Sequence, residues 1–286
     1  MYKDICVAVE SDRLDTAILK TASQVAKAFE ADLTVAAGGP ILPVPLPIAG
    51  FAAGGGIVVD SAATAGSQAE AKESIAESKT EIHRVLDDVN QPFTLRTVVG
   101  PFARIADFAV NMAQASDLFV CFNPLKDDAG ALERMVFEEV LRRGGCGTLV
   151  LPRGDTFDSL PQRIVIAWNS SPEAARAVRA AMPFLQRATE VTVLLVDPEL
   201  RQAGEDWRPG DELVSHLVKY GVTATLARVT SADTSVAGAI EAELDHRNAD
   251  MAVMGGYGQS ALKDWVLGSV AREFLEAAKT SILMSN

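Results

Sequence analysis

Short, unbroken apolar runs alternate along this chain with longer stretches in which apolar residues recur every three or four positions. The runs at residues 163–168, 191–196 and 251–254 carry almost no polar interruption, the pattern of parallel strands buried on both faces. Between them lie helical patterns. In residues 171–185, Ala174, Val178, Ala181 and Leu185 fall on one face. Ser171 stands as N-cap with Pro172 at the first helical position, a good start signal. Strand and helix in regular alternation predict a doubly wound α/β sheet.

The pattern occurs twice. Val7-Ala8-Val9-Glu10-Ser11 matches Ile166-Ala167-Trp168-Asn169-Ser170, and Leu33-Thr34-Val35 matches Val191-Thr192-Val193, at offsets of 159 and 158. Further on, Ala115 to Val120 matches Asn248 to Val253 at an offset of 133, and Thr148-Leu149-Val150 matches Ile282-Leu283-Met284 at 134. The fall of about 25 residues places an insertion in the first copy, and the Pro/Gly-rich arm at residues 40–59 is expected to supply much of it. Two domains are predicted, 1–154 and 160–286, with a boundary at residues 151–161 marked by Pro152, Gly154 and Pro161. A length of 286 residues with 48% apolar composition supplies a core for each.

Charge narrows the function. The net charge is −12, and the acidic excess is equal in the two halves: 14 basic against 20 acidic groups in residues 1–154, and 12 against 18 thereafter. Neither half offers a basic face for a phosphate backbone, which disfavours nucleic-acid binding. Cys6, Cys121 and Cys146 form no C-x-x-C pair and read as reduced thiols of a cytosolic protein. His83, His216 and His246 lack the spacing of metal ligands and are expected at the surface. The start, Met-Tyr-Lys-Asp followed by a strand-like run, shows no signal peptide, so a cytoplasmic location is expected. Residues 33–59 carry no charge, but Pro40, Pro43, Pro45 and Pro47, then Gly54-Gly55-Gly56, argue against a membrane span. The arm is expected to pack on the protein or a partner.

Candidate chemistry lies in the second copy. Its fourth strand runs into Gly255-Gly256-Tyr257-Gly258-Gln259-Ser260, and nine residues after Gly258 come Gly268-Ser269 and a further helix. Glycines there let an anion approach main-chain N–H groups, and Ser269 at a helix start adds a hydroxyl and free amides at the positive end of the dipole. Turn glycines and a Gly-Ser helix start are also ordinary structural features. No Gly-Lys-Ser/Thr follows, so this is no Walker A loop, and a fourth-strand position excludes the dinucleotide fingerprint.

Gly255-x-x-Gly258, nine residues, then Gly268-Ser269 resembles the ATP-binding signature of the universal stress proteins, and residues 257–265 resemble the version found in tandem members. The likeness covers nearly all of 162–286, while 1–152 resembles the same fold without the full signature. The resemblance implies two tandem doubly wound five-stranded parallel sheets of the adenine nucleotide alpha hydrolase-like type, strand order 3-2-1-4-5. It implies ATP, or ADP or AMP, with Mg accompanying the nucleotide, between the ends of strands 1 and 4. Carried over by position, Ala167 and Asn169 end strand 1 and Val196 ends strand 2 beside the adenine. Gly255, Gly258 and Gln259 line the phosphates, and Gly268, Ser269 and Val270 close them in. The resemblance also implies a pseudo-dimer of the two domains through their edge strands, with a possible further homodimer.

Two departures stand out. Asn169 replaces the Asp of many ATP-binding members, exchanging an acceptor for an amide that also donates. Thr230-Ser231 stands where a glycine often follows strand 3. The first copy departs further: Phe122 and Leu125 stand opposite Gly255 and Gly258 with Pro124 between them, and Arg134-Met135 stands opposite Gly268-Ser269. It reads as a degenerate, nucleotide-incompetent half, structural or open to a less anionic ligand. Glu70, Glu73, Glu77 and Glu81 interleave with Lys72, Lys79 and Arg84 as a solvated helix face. Lys263 is a weaker phosphate candidate, and Trp265 and Leu267 read as packing. No catalytic residue or metal ligand can be named. The leading expectation is an adenine-nucleotide-binding stress regulator. The alternatives are a slow ATPase or nucleotidyl-transfer enzyme, and a nucleotide-free module binding partners through the arm.

Overall fold

A computed structural model of the chain describes residues 1–41, 61–126, 128–154, 157, 159–198, 208–232, 234–256 and 267–286. Its first half runs β1 (Asp4–Glu10), α1 (Thr16–Phe29), β2 (Asp32–Pro40), α2 (Ser61–Asp88), β3 (Phe93–Gly100), α3 (Phe102–Ala113), β4 (Leu118–Phe122), α4 (Ala131–Arg143) and β5 (Gly147–Leu151). The second half repeats the order as β6 (Arg163–Ala167), α5 (Pro172–Leu185), β7 (Glu190–Val196), α6 (Asp211–Lys219), β8 (Ala224–Val229), α7 (Val236–Arg247), β9 (Met251–Gly255), α8 (Ser269–Ala277) and β10 (Ser281–Ser285). Each half has the order 3-2-1-4-5 with parallel pairing inside it. The local start signals operate as expected: the Ser171 hydroxyl accepts the Ala174 N–H at 3.1 Å ahead of Pro172, and Ser235 caps α7 in the same way.

The two sheets are continuous. β5 and β10 pair antiparallel, with Thr148 opposite Met284, Leu149 opposite Leu283 and Val150 opposite Ile282, giving one ten-stranded sheet. This pairing covers the edge that each half would otherwise expose. Helices α1, α2, α5 and α6 contribute to one continuous apolar cluster, which includes Ile5 and Val7 of β1 as well as Ile166 and Val193 of β6 and β7. At its centre the rings of Tyr2, Phe29 and Phe184 meet edge to face, with centroids 4.9–5.6 Å apart. The Tyr2 hydroxyl donates to the Ala180 carbonyl at 2.5 Å, and the Arg187 guanidinium lies 4.3 Å from the Phe29 centroid. The opposite face is covered by α3, α4, α7 and α8.

The inserted length is mainly helix. Between β2 and β3 lie 52 residues, against 27 between β7 and β8, the 25-residue difference seen in the repeat offsets. Nineteen of these are the extra length of α2, 28 residues against nine in α6. The arm therefore supplies the smaller share; apart from Pro40, which ends β2, and Ile41, it lies outside the described residues. Close packing explains the glycines before it: a Cβ on Gly38 would lie 2.4 Å from Ile105, and one on Gly39 2.8 Å from the Ala71 carbonyl oxygen. Among the described residues no helix is long and apolar enough to cross a membrane.

Cys6, Cys121 and Cys146 are all free, and burial pushes the Cys6 thiol up to about 12 and the Cys146 thiol up to about 11. His83, His216 and His246 are exposed, and among the described residues no group of three metal-ligating side chains occurs.

Candidate functional site

In open α/β sheets a crevice forms beyond the carboxyl ends of the strands where the order reverses. In the second half that point lies between β6 and β9. A cavity of about 190 Å³ opens there, and the described part of the sequence-derived site converges on it: Ala167, Asn169, Val196, Gly255, Gly268, Ser269 and Val270 all line it. Gly258 and Gln259, and with them Lys263 and Trp265, lie outside the described residues. Leu194, Val236, Ile240 and Met254 complete the apolar wall. The sequence reading had not singled these out. The signal was present, since Leu194 and Val196 share a face by the two-residue strand period, and Val236 and Ile240 share one by the helical i, i+4 spacing.

The polar side is made largely of main chain. Gly268 is the N-cap of α8 and, being glycine, brings no capping side chain of its own. Arg272 N–H closes the first turn onto the Gly268 carbonyl at 2.8 Å, leaving the preceding amides of Ser269, Val270 and Ala271 at the helix's positive end. Ser269 itself is exposed. Asn169 is oriented by an Asx turn, its Oδ1 accepting the Ser171 N–H at 3.1 Å, so its amide nitrogen is the group left to donate outward. Beyond β7, Asp197 accepts from the Ser231 N–H at 2.9 Å and from its hydroxyl at 2.5 Å. These bonds hold the Asp197 carboxyl below its usual range. The Ser231 hydroxyl thus adds a side-chain bond, which a glycine could not make, to the backbone pairing at the ends of β7 and β8.

Gly255 has a packing reason as well. A Cβ there would lie 2.8 Å from the Glu173 Cβ and 2.9 Å from the Ala174 nitrogen, because the first turn of α5 crosses directly over it.

The corresponding point of the first half is smaller. Its cavity measures about 50 Å³ and is walled by Ala36, Ile105, Phe119, Leu132 and Val136 among others. Helices α4 and α8 end in register, but α4 has thirteen residues to nine, so it begins a full turn earlier. Arg134-Met135 therefore lies inside the helix, and the true counterpart of the Gly268 N-cap is Gly130. The added turn brings Glu133, which accepts the Gly130 N–H at 2.9 Å and whose two carboxyl oxygens both accept from Arg153 Nη2, at 2.8 and 2.9 Å. Arg153 also meets Asp128 at 2.8 Å and lies 4.8 Å over the Phe122 ring. The start of α4 thus carries one of the chain's own carboxylates. Glu10, at the position of Asn169, has one carboxyl oxygen buried without a hydrogen bond. Burial, with Asp12 and Glu133 nearby, pushes its pKa up to about 7.

Fold and clefts define a class: a tandem, doubly wound α/β protein of the adenine nucleotide alpha hydrolase-like type, with a larger switch-point cavity in the second half than in the first. The family comparison then names it. The model of the universal stress protein family matches residues 161–286, and this half of the chain is a universal stress protein domain. The whole chain shares the fold of a universal stress protein from Archaeoglobus fulgidus, at 14% identity over 98% of this chain and 96% of that chain, with a TM-score of 0.66. It likewise overlays a functionally unknown protein from Pseudomonas aeruginosa, at 14% identity over 99% of this chain and 92% of that one, TM-score 0.55. These likenesses establish the tandem fold. No curated protein matches the chain in sequence.

Proposed function

We propose that this chain is a stress-response regulator that binds one adenine nucleotide, ATP or a relative, in the cavity of its second domain. The domains are taken as 1–154 and 160–286. The observation that carries this reading is the contrast between the two switch points. One offers apolar walls beside glycines and the first-turn amides of α8, and the other is smaller and lined by the carboxylates of Glu10 and Glu133. A flat base suits the wall of Leu194, Val196, Val236 and Ile240, and phosphates suit the start of α8. Backbone amides rather than lysines would hold the anion, which reconciles anion binding with a net charge of −12.

Among the described residues no cluster of carboxylates is poised to cage a metal, so Mg would enter with the phosphates it bridges. No carboxylate, histidine or lysine is among the described residues lining the cavity, which favours binding over turnover. Calorimetry with ATP, ADP and AMP on the full chain should give about one site per chain. Two equal sites, or no heat with any of the three, would overturn the reading.

A further inference from the structure

The segment after β4 stands where the glycine-rich segment stands after β9, and in the first half it holds no open anion site. It does something else. Asn123 is 2% exposed, and its backbone N–H and both ends of its side-chain amide are hydrogen-bonded. Its N–H donates to the Leu151 carbonyl at 2.8 Å and its Oδ1 accepts from the Leu125 N–H at 3.0 Å. Its side-chain amide donates across the domain boundary to the Leu275 carbonyl at 2.7 Å. Lys126 follows, its ammonium donating to the Glu276 carbonyl at 2.7 Å. Leu275 and Glu276 lie in the last turn of α8, where carbonyls have no partner within the helix. The first half therefore caps the C-terminus of the helix whose N-terminus lines the second half's cavity.

The other end is referenced to the first half too. Gly268 N–H donates to the Gly256 carbonyl at 3.3 Å, and Gly256 rests on Leu141 of α4 so closely that a Cβ would lie 2.9 Å from it. A nine-residue helix is too short to hold its own position, so its docking decides where its first-turn amides point.

We propose that Asn123 and Lys126 are positioning residues for the cavity of the second domain: the degenerate first domain sets nucleotide affinity by clamping α8 from its far end. The proposal rests on the nucleotide-binding reading above. Titration of full-length protein with ATP should show Lys126→Ala weakened by about fivefold or more, the usual scale of coupling between sites. Lys126→Arg, which keeps a donor for the Glu276 carbonyl, should restore affinity, and the remote surface variant Lys20→Ala should match the parent. Equal affinity in Lys126→Ala, or a loss that arginine does not restore, would overturn the proposal. If the parent binds no ATP, the nucleotide reading fails and amide hydrogen exchange over residues 269–273 decides the positioning claim. Faster exchange there in Lys126→Ala, at an unchanged melting temperature, supports it, and unchanged exchange overturns it.

Discussion

Ser269 is exposed at the start of α8, next to the N-cap Gly268. Replacing it with Asp should have effects of opposite sign on stability and binding. The carboxylate complements the helix dipole and should stabilise the fold by about 0.3–1 kcal/mol. It also occupies the anion's place, so ATP binding should fall by about tenfold or more through like-charge repulsion. Thermal unfolding and calorimetry on the same variant test both signs. Gly255→Ala separates packing from binding in another way. Its methyl would press on the backbone of α5, so urea unfolding should show a loss of about 1–3 kcal/mol with or without ligand. Glu10 offers a pH test. Its folded pKa of about 7 lies above the ordinary 4.5, so the folded state keeps a proton that the unfolded state releases. Stability therefore falls as pH rises from 4.5 to about 7 and levels off above. Glu10→Gln should remove that loss: its urea midpoint should gain on the parent across this window and hold the gain at higher pH. Residue identity made the glycines and Ser269 legible as site candidates. The packing reason for Gly255 was not legible, because α5 crosses it only in the folded chain.

At the scale of elements, the difference between the two halves comes down to one turn of helix. α8 begins at Gly268-Ser269 beside a cavity, while α4 begins four residues earlier in its own register and brings Glu133 to the rim of a smaller one. Arg153 neutralises Glu133 through Nη2 and also meets Asp128. Removing it in Arg153→Ala would leave a half-buried carboxylate without its partner, at a cost of about 1–3 kcal/mol in urea unfolding. Phe122 and Pro124 already signalled a degenerate site in the sequence. The extra turn did not, because aligning the helices by their C-terminal apolar residues hides a different start. The long α2 was concealed for a similar reason: its solvated charges read as helix, but its share of the insertion appears only when strand ends are known.

At the scale of the molecule, one cluster of apolar side chains runs through both halves and the sheet crosses the boundary without an edge. The halves should unfold together. All three tryptophans, Trp168, Trp207 and Trp265, lie in the second half, so their fluorescence reports that half, whereas far-UV circular dichroism reports the whole chain. The two denaturation curves should coincide; separate midpoints would show independent domains. Phe184→Ala, at the centre of the aromatic group that bridges α1 and α5, should lower both curves together by about 3–5 kcal/mol. The sequence by itself determined the strand–helix alternation, its repetition and the glycine and serine positions, because these follow from local periodicity and local backbone freedom. Tertiary structure alone decided that two sheets become one and that Asn123 and Lys126 cap a helix of the other half. It also decided the size of each switch-point cavity, where the sequence had shown only that the first copy lacks the glycines, since each of these depends on contacts between residues more than a hundred positions apart or on where a neighbouring helix starts.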